Sequence, residues 1–296
     1  MSIDIKQLLK NKVINEWHLF FLLSVPLSII ILFAMMASDL STGAGVSHMI
    51  GYSVKWAIPF IYILVAASSV HTLFPSPFSM WLMRNQKYIG LCFAVMMAWQ
   101  ALFIFIVSTF LRDYYFEEIY LFRDELEGTI GYILLTAMVV TSFQLGRKFV
   151  DTMQWKLVHK VGVYFLWAYP FSVYWWNLTY AEPRAIDYIF YWAGFIAFVF
   201  RIAAWGKNRQ QWSQTNMPES VTPIVFKLLG SALIICGCVA SATGFYWQNS
   251  VTTFLTAPPW SAEFELWLPF WPLEPFLSIF SIALGTLFLT KINDSK

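Results

Sequence analysis

Four histidines, His18, His48, His71 and His159, are the side chains best suited to bind a metal or move a proton. A neutral imidazole nitrogen is a good ligand, and the ring titrates near neutral pH. His159 has the most distinctive surroundings. The turn Trp155-Lys156-Leu157-Val158-His159-Lys160 opens directly into an apolar, aromatic-rich run. The plain alternative is a histidine at the lipid headgroup level, hydrogen-bonded among Lys156, Lys160 and phosphate. His71 closes another apolar run, at the same expected membrane level as His159. His48 and His18 stand near the starts of their runs, where an interfacial role accounts for them. Gln100 is a primary amide in mid-run, where hydrocarbon offers it no partner. A bond to Ser172 or Thr141 on a neighbouring helix, worth about 1 kcal/mol, would satisfy it. Lining a substrate or quinone pocket is the functional alternative.

The remaining chemistry-bearing residues read as architecture. Cys236 and Cys238 are two apart on a helix, so they point roughly 200° away from each other and cannot share a metal. With Cys92 they lie inside apolar runs and read as packing. Residues 112–127 gather six acidic side chains against Arg112 and Arg123, the pattern of a solvated loop, with a docking surface for a basic partner as the alternative. No Gly-rich phosphate loop and no flavin or nicotinamide segment occurs, so no catalytic or metal-ligating set is expected.

The elements that must position these residues are membrane helices. The chain of 296 residues is 58% hydrophobic and 12% charged, with a mean hydropathy of +0.60. A soluble protein carries about twice that charged fraction, and runs of about 20 apolar residues span a bilayer. The 15 Trp and 14 Tyr suit aromatic belts at the two interfaces, and a net charge of +2 gives no reason to expect nucleic acid. The fold class is therefore all-α: a polytopic transmembrane bundle of about eight helices. The expected runs are 17–38 (bent at Pro26), 50–73, 89–111, 128–145, 157–178, 185–205, 224–247 and 273–290. Residues 1–16 and 291–296 are tails. Residues 84–87 read as a basic turn, 206–220 as a polar connector, and 258–272 as an aromatic, proline-rich outer lid in the interface.

Lysine and arginine set the orientation. Connectors on the N-terminal side hold Arg84, Lys87, Arg147, Lys148, Lys156, Lys160, Lys207, Arg209, Lys291 and Lys296. The opposite connectors hold only Arg112, Arg123 and Arg184. The positive-inside rule then places both termini in the cytoplasm, and the expected site is a bacterial cytoplasmic (inner) membrane. Gly90, Gly128, Gly131 and Gly162 suggest that the third to fifth helices pack most closely.

Within residues 84–178 the order is Arg84-x5-Gly90, then Thr141-Ser142-x3-Gly146-Arg147, then Trp155-Lys156-x2-His159-Lys160-x-Gly162-x-Tyr164. This resembles the ferric-reductase-like transmembrane domain, a family that includes NADPH oxidase transmembrane domains and the haem-carrying membrane subunit of methionine sulfoxide repair. The resemblance implies a core of about residues 50–205, haem b, and transfer of electrons across the membrane to a periplasmic acceptor. It implies His159 as a haem ligand; His71 is the available partner, although the family takes no ligand from that helix. The family's second histidine on the fifth helix corresponds to Ser172, and those on the third to Met97 and Gln100. Electrons would come from quinone or a separate redox subunit. A haem-free relative, acting as a membrane scaffold, a partner-binding protein or a small-solute protein, is the other reading. Membrane lipid is a partner in both.

Overall fold

The computed structural model describes residues 5–216 and 222–291. Among them the regular structure is entirely helical, with no strand. The main helices are α1 (Glu16–Met36), α2 (Gly43–Leu73), α3 (Pro77–Phe110), α4 (Phe122–Thr141) and α5 (Thr152–Tyr180). They are followed by α6 (Ala185–Asn216), α7 (Ile224–Ala242), α8 (Gly244–Thr256), α9 (Ser261–Trp267) and α10 (Glu274–Leu289). Five of these, α1, α2, α3, α6 and α7, are long and apolar enough to cross a membrane. α4 opens on Arg123, Asp124, Glu125 and Glu127, and α5 carries Lys156 and Lys160 in its first turns. α10 is apolar but only 16 residues long.

Each of the eight expected runs overlaps one of these helices, but the bounds and several connectors differ from expectation. The basic turn at 84–87 is part of α3, which starts at Pro77 behind a capping box made by Ser76 and Ser79. α5 starts at Thr152, five residues before the apolar run, because Asp151 Oδ1 accepts from the amides of Met153 (2.7 Å) and Gln154 (2.8 Å). The connector at 206–220 is helical as far as Asn216. Consequently Arg201 lies in mid-helix. The expected seventh helix stops at Ala242, and α8 follows after Thr243. Ser241 and Thr243 turn their hydroxyls back on the carbonyls of Cys238 (2.7 Å) and Val239 (2.8 Å), which competes with helix continuation. Within 258–272 a short helix, α9, is present.

The chain forms two compact units, Met1–Ala67 with Ser76–Trp167, and Ser68–Pro75 with Ala168–Lys296. α2 and α5 contribute to both. In the first unit the N-terminal segment docks on α3. Trp81 donates to the Ile14 carbonyl (2.9 Å), and Arg84 donates to Leu9 O (2.9 Å) and Asn15 Oδ1 (2.6 Å). α4 and α5 meet where Gly162 leaves room for Met138.

In the second unit α7 and α10 approach backbone to backbone. A Cβ on Gly230 would lie 2.6 Å from Gly285 O, and one on Gly237 would lie 2.6 Å from Ser278 O. Nothing lies within 4 Å of a Cβ on Gly128, and Gly90 and Gly131 make ordinary contacts. The two helix backbones therefore come closest through glycine at α7–α10, while between the fourth and fifth helices Gly162 makes a tight contact with a side chain, its Cβ position lying against Met138 Sδ. The end of α2 is held in this unit by α6. Arg201 donates to Ser68 Oγ, and Lys207 Nζ to the Thr72 carbonyl (2.7 Å), a cation at a helix C-terminus.

Candidate functional site

His159 sits in the second turn of α5, half-buried, with its ring centroid 4.6 Å from that of Trp155. The Arg147 guanidinium lies 5.4 Å from the Trp155 ring. Nε2 of His159 is 3.1 Å from Thr141 Oγ1 on α4. Thr141 gives its only hydroxyl proton to the Ala137 carbonyl at 2.7 Å. The contact is therefore Nε2–H donating to Thr141, which leaves Nδ1 with the free lone pair. Thr141, one of the two partners considered for Gln100, contacts His159 instead.

Gln100 does make an interhelical bond, to a residue that sequence did not single out. Its Oε1 accepts from the Tyr132 hydroxyl of α4 at 3.0 Å, and that hydroxyl is also 3.2 Å from the Met97 carbonyl. Ser172 is buried and donates to Tyr169 O on its own helix (2.8 Å). The residues present do not fit a two-haem relay. Of the four positions that the resemblance would pair with haem ligands, three hold no imidazole, and two of those three, Gln100 and Ser172, are already hydrogen-bonded. The fourth, His159, has its Nε2 committed to Thr141.

His71 belongs to the second unit and is half-buried, one residue before Thr72, whose carbonyl receives Lys207. His48 is exposed and stacks on Tyr52 (6.2 Å), and His18 is exposed on α1. The acidic stretch 112–127 is more ordered than a solvated loop. A π-helical turn spans Tyr115–Ile119, and Tyr115 donates to Glu125 Oε2 at 2.6 Å. Burial, then that hydrogen bond, pushes the Tyr115 hydroxyl well above its ordinary value. Arg123 lies 3.5 Å from Asp124 and 3.9 Å from the buried Glu127.

A different cluster, in the second unit, was not found from sequence. Glu274 is 0% exposed at the start of α10, and no salt bridge reaches it among the described residues. Its Oε1 accepts from the Tyr180 hydroxyl of α5 (3.2 Å), and Tyr180 in turn contacts Thr252 Oγ1 of α8 (3.1 Å). Tyr180 has one proton, which goes to the carboxylate, and the Thr252 hydroxyl is a hydrogen-bond partner of both Tyr180 and Glu274. One turn before Thr252, the buried Gln248 directs Nε2 to Thr179 O at 3.4 Å. The buried Trp175 lies against Trp247 (5.3 Å) and occupies the space a Cβ on Gly244 would need. Four buried atoms here have no hydrogen-bond partner among the described residues: Glu274 Oε2, Gln248 Oε1, Ser278 Oγ and Trp175 Nε1.

Asp187 shows how this unit can satisfy a buried carboxylate. It is 1% exposed and receives Asn177 Nδ2 (3.1 Å), the Arg184 amide (2.8 Å) and the Arg184 guanidinium (3.3 Å). Glu274 has no such complement. Its sequence context hides it, since an acidic residue beside Pro275 at the head of an apolar run reads as an ordinary helix start. No protein-family model matches this chain, and no curated protein or solved structure matches it.

Proposed function

We propose that this chain is an integral membrane protein that handles a small polar solute, built on a ferric-reductase-like scaffold without a haem relay. The observation that carries the reading is Glu274, wholly buried among apolar helices with one carboxylate oxygen unpartnered. Ionisable groups inside membrane bundles are expensive to bury and mark solute, ion or proton sites by default. α10 rises about 24 Å over its 16 residues, less than the roughly 30 Å hydrocarbon thickness of a bilayer. With Lys291 at the cytoplasmic face, Glu274 would start α10 inside the membrane. The same reading takes both termini as cytoplasmic and the membrane as a bacterial cytoplasmic one.

A single haem on His159, passing electrons from quinone or a partner subunit, is the second reading. Arg147, Lys156 and Lys160 around the ring favour it, since such cations suit propionates at an interface. Purification in detergent after expression with haem supplied separates the two. Absence of a Soret band supports the solute reading. A Soret band that His159→Ala removes would overturn it in favour of the second.

A further inference from the structure

The unpartnered atoms around Glu274 lie on three helices with matching spacing. Glu274 and Ser278 are four apart on α10, Gln248 and Thr252 four apart on α8, and Trp175 and Thr179 four apart on α5. Residues four apart share a helix face. The three helices touch beside these faces: Tyr180 contacts Glu274 and Thr252, Gln248 donates to the Thr179 carbonyl, and the Trp175 ring lies against Trp247. All four side chains with an unpartnered atom are more than nine-tenths buried: Glu274 (0% exposed), Ser278 (1%), Trp175 (1%) and Gln248 (5%).

Their chemistry is specific in kind. Glu274 Oε2 and Gln248 Oε1 can only accept while the carboxylate is ionised, and Ser278 Oγ can accept as well. Three acceptors, one of them anionic, match the three N–H donors and single charge of a primary ammonium. The indoles of Trp175 and Trp247, 5.3 Å apart and tilted by 43°, lie beside the site, and indole faces favour a cation over a neutral guest. Trp175 Nε1 is a donor only, and needs an oxygen on the ligand. A bare metal ion would meet the three acceptors but not the indole N–H.

We infer that Glu274, Gln248, Ser278 and Trp175 form a binding site for a small primary amine that carries a neighbouring oxygen. Glu274 supplies the counter-charge, Gln248 and Ser278 complete the ammonium's hydrogen bonds, and Trp175 holds the ligand oxygen. Tyr180 is 46% exposed with its hydroxyl on Glu274, so it forms the outer edge of the site and the route by which the amine reaches the carboxylate. The inference rests on the solute reading above and names its substrate class.

Thermal unfolding of the detergent-purified full chain, in amine-free phosphate buffer, tests it with ethanolamine, choline and sodium as probes. Ethanolamine is expected to raise Tm saturably, by about 5 °C at a hundred times its Kd. Choline, of equal charge but without N–H groups, should leave Tm unchanged, as should sodium. Glu274→Gln removes the charge with little change of shape and should abolish the ethanolamine shift. Ser278→Ala, a milder change, should weaken ethanolamine binding about tenfold. No ethanolamine shift in the wild type, or a full shift in Glu274→Gln, would overturn the amine site. A choline or sodium shift that Glu274→Gln abolishes would overturn the ammonium class while leaving a solute site at Glu274. A Soret band lost in His159→Ala would overturn the solute reading itself.

Discussion

Asn85 shows how a single buried amide can organise a terminus. It is 0% exposed and has its whole side chain in use: Oδ1 accepts from the Glu16 amide (2.8 Å), and Nδ2 donates to Asn15 Oδ1 (3.0 Å) and Trp81 O (3.0 Å). It therefore caps α1 from another helix, where Asn15 itself makes no side-chain cap. Asn85→Ala should lower stability by about 1–3 kcal/mol in detergent unfolding, because it leaves buried partners unsatisfied; a loss under about 0.3 kcal/mol would mean the cap is dispensable. Glu16 is held at φ 55, a left-handed conformation costly for any residue with a Cβ. Glu16→Gly should accordingly stabilise by up to about 1 kcal/mol, and destabilisation by the same measurement would show that the glutamate side chain matters more than the strain. Gln100 and Tyr132 should show a coupling of about 1 kcal/mol in a Gln100→Leu, Tyr132→Phe cycle, with additivity counting against the bond. Sequence sufficed to say that Gln100 needs a partner. It did not show which one, because in a chain 58% hydrophobic the inward and lipid-facing sides of a helix are both apolar. No polar stripe reveals which face meets which neighbour.

At the scale of elements, the helices were legible because length and hydropathy decide them, whereas their ends depend on caps and distant partners. Asp151 with Gln154 is a readable capping box, and it accounts for the early start of α5. The break between α7 and α8 is not readable in that way. It depends on Trp247 Nε1 reaching the Ala240 carbonyl (3.0 Å) and on the Trp175 ring filling the space beside Gly244, which only the folded unit brings together. The α7–α10 seam makes the sharpest test at this scale. Lipid supplies no hydrophobic drive between helices, so close backbone approach through small residues does the work. Gly285→Val would put side-chain atoms where Gly230 O and Ile234 now lie, and there is no flexible tip to move aside. It should cost about 2 kcal/mol or more in unfolding, on the scale of overpacking a tight core. Gly128→Ala meets open space and should be neutral or stabilising by about 0.5–1 kcal/mol. Equal effects of the two substitutions would show that the seam does not depend on close contact.

For the whole molecule, the distribution of charge predicts orientation, and the fold changes what that prediction rests on. Arg84 and Arg147 are engaged by carbonyls and side-chain oxygens, and Lys207 by the end of α2, so several of the inside charges also have structural partners. The rule itself concerns charge near the ends of spans during insertion and does not require the residues to be free afterwards. Ten lysines and arginines on one set of connectors against three on the other remain a large bias. Reporters fused after Thr42 and after Glu182 should be active only when the reporter is of the periplasmic kind. A reporter fused after Lys296, and one placed after Phe149 in a truncated chain, should be active only when it is of the cytoplasmic kind. If the Lys296 fusion proves periplasmic while the Phe149 fusion remains cytoplasmic and the Glu182 fusion periplasmic, one of α6, α7 and α10 fails to cross. The sixteen residues of α10 make it the first to suspect, and Glu274 would then stand at the membrane surface, where a buried carboxylate no longer marks a membrane solute site. The orientation of this last helix is therefore what joins the topology to the function proposed for Glu274.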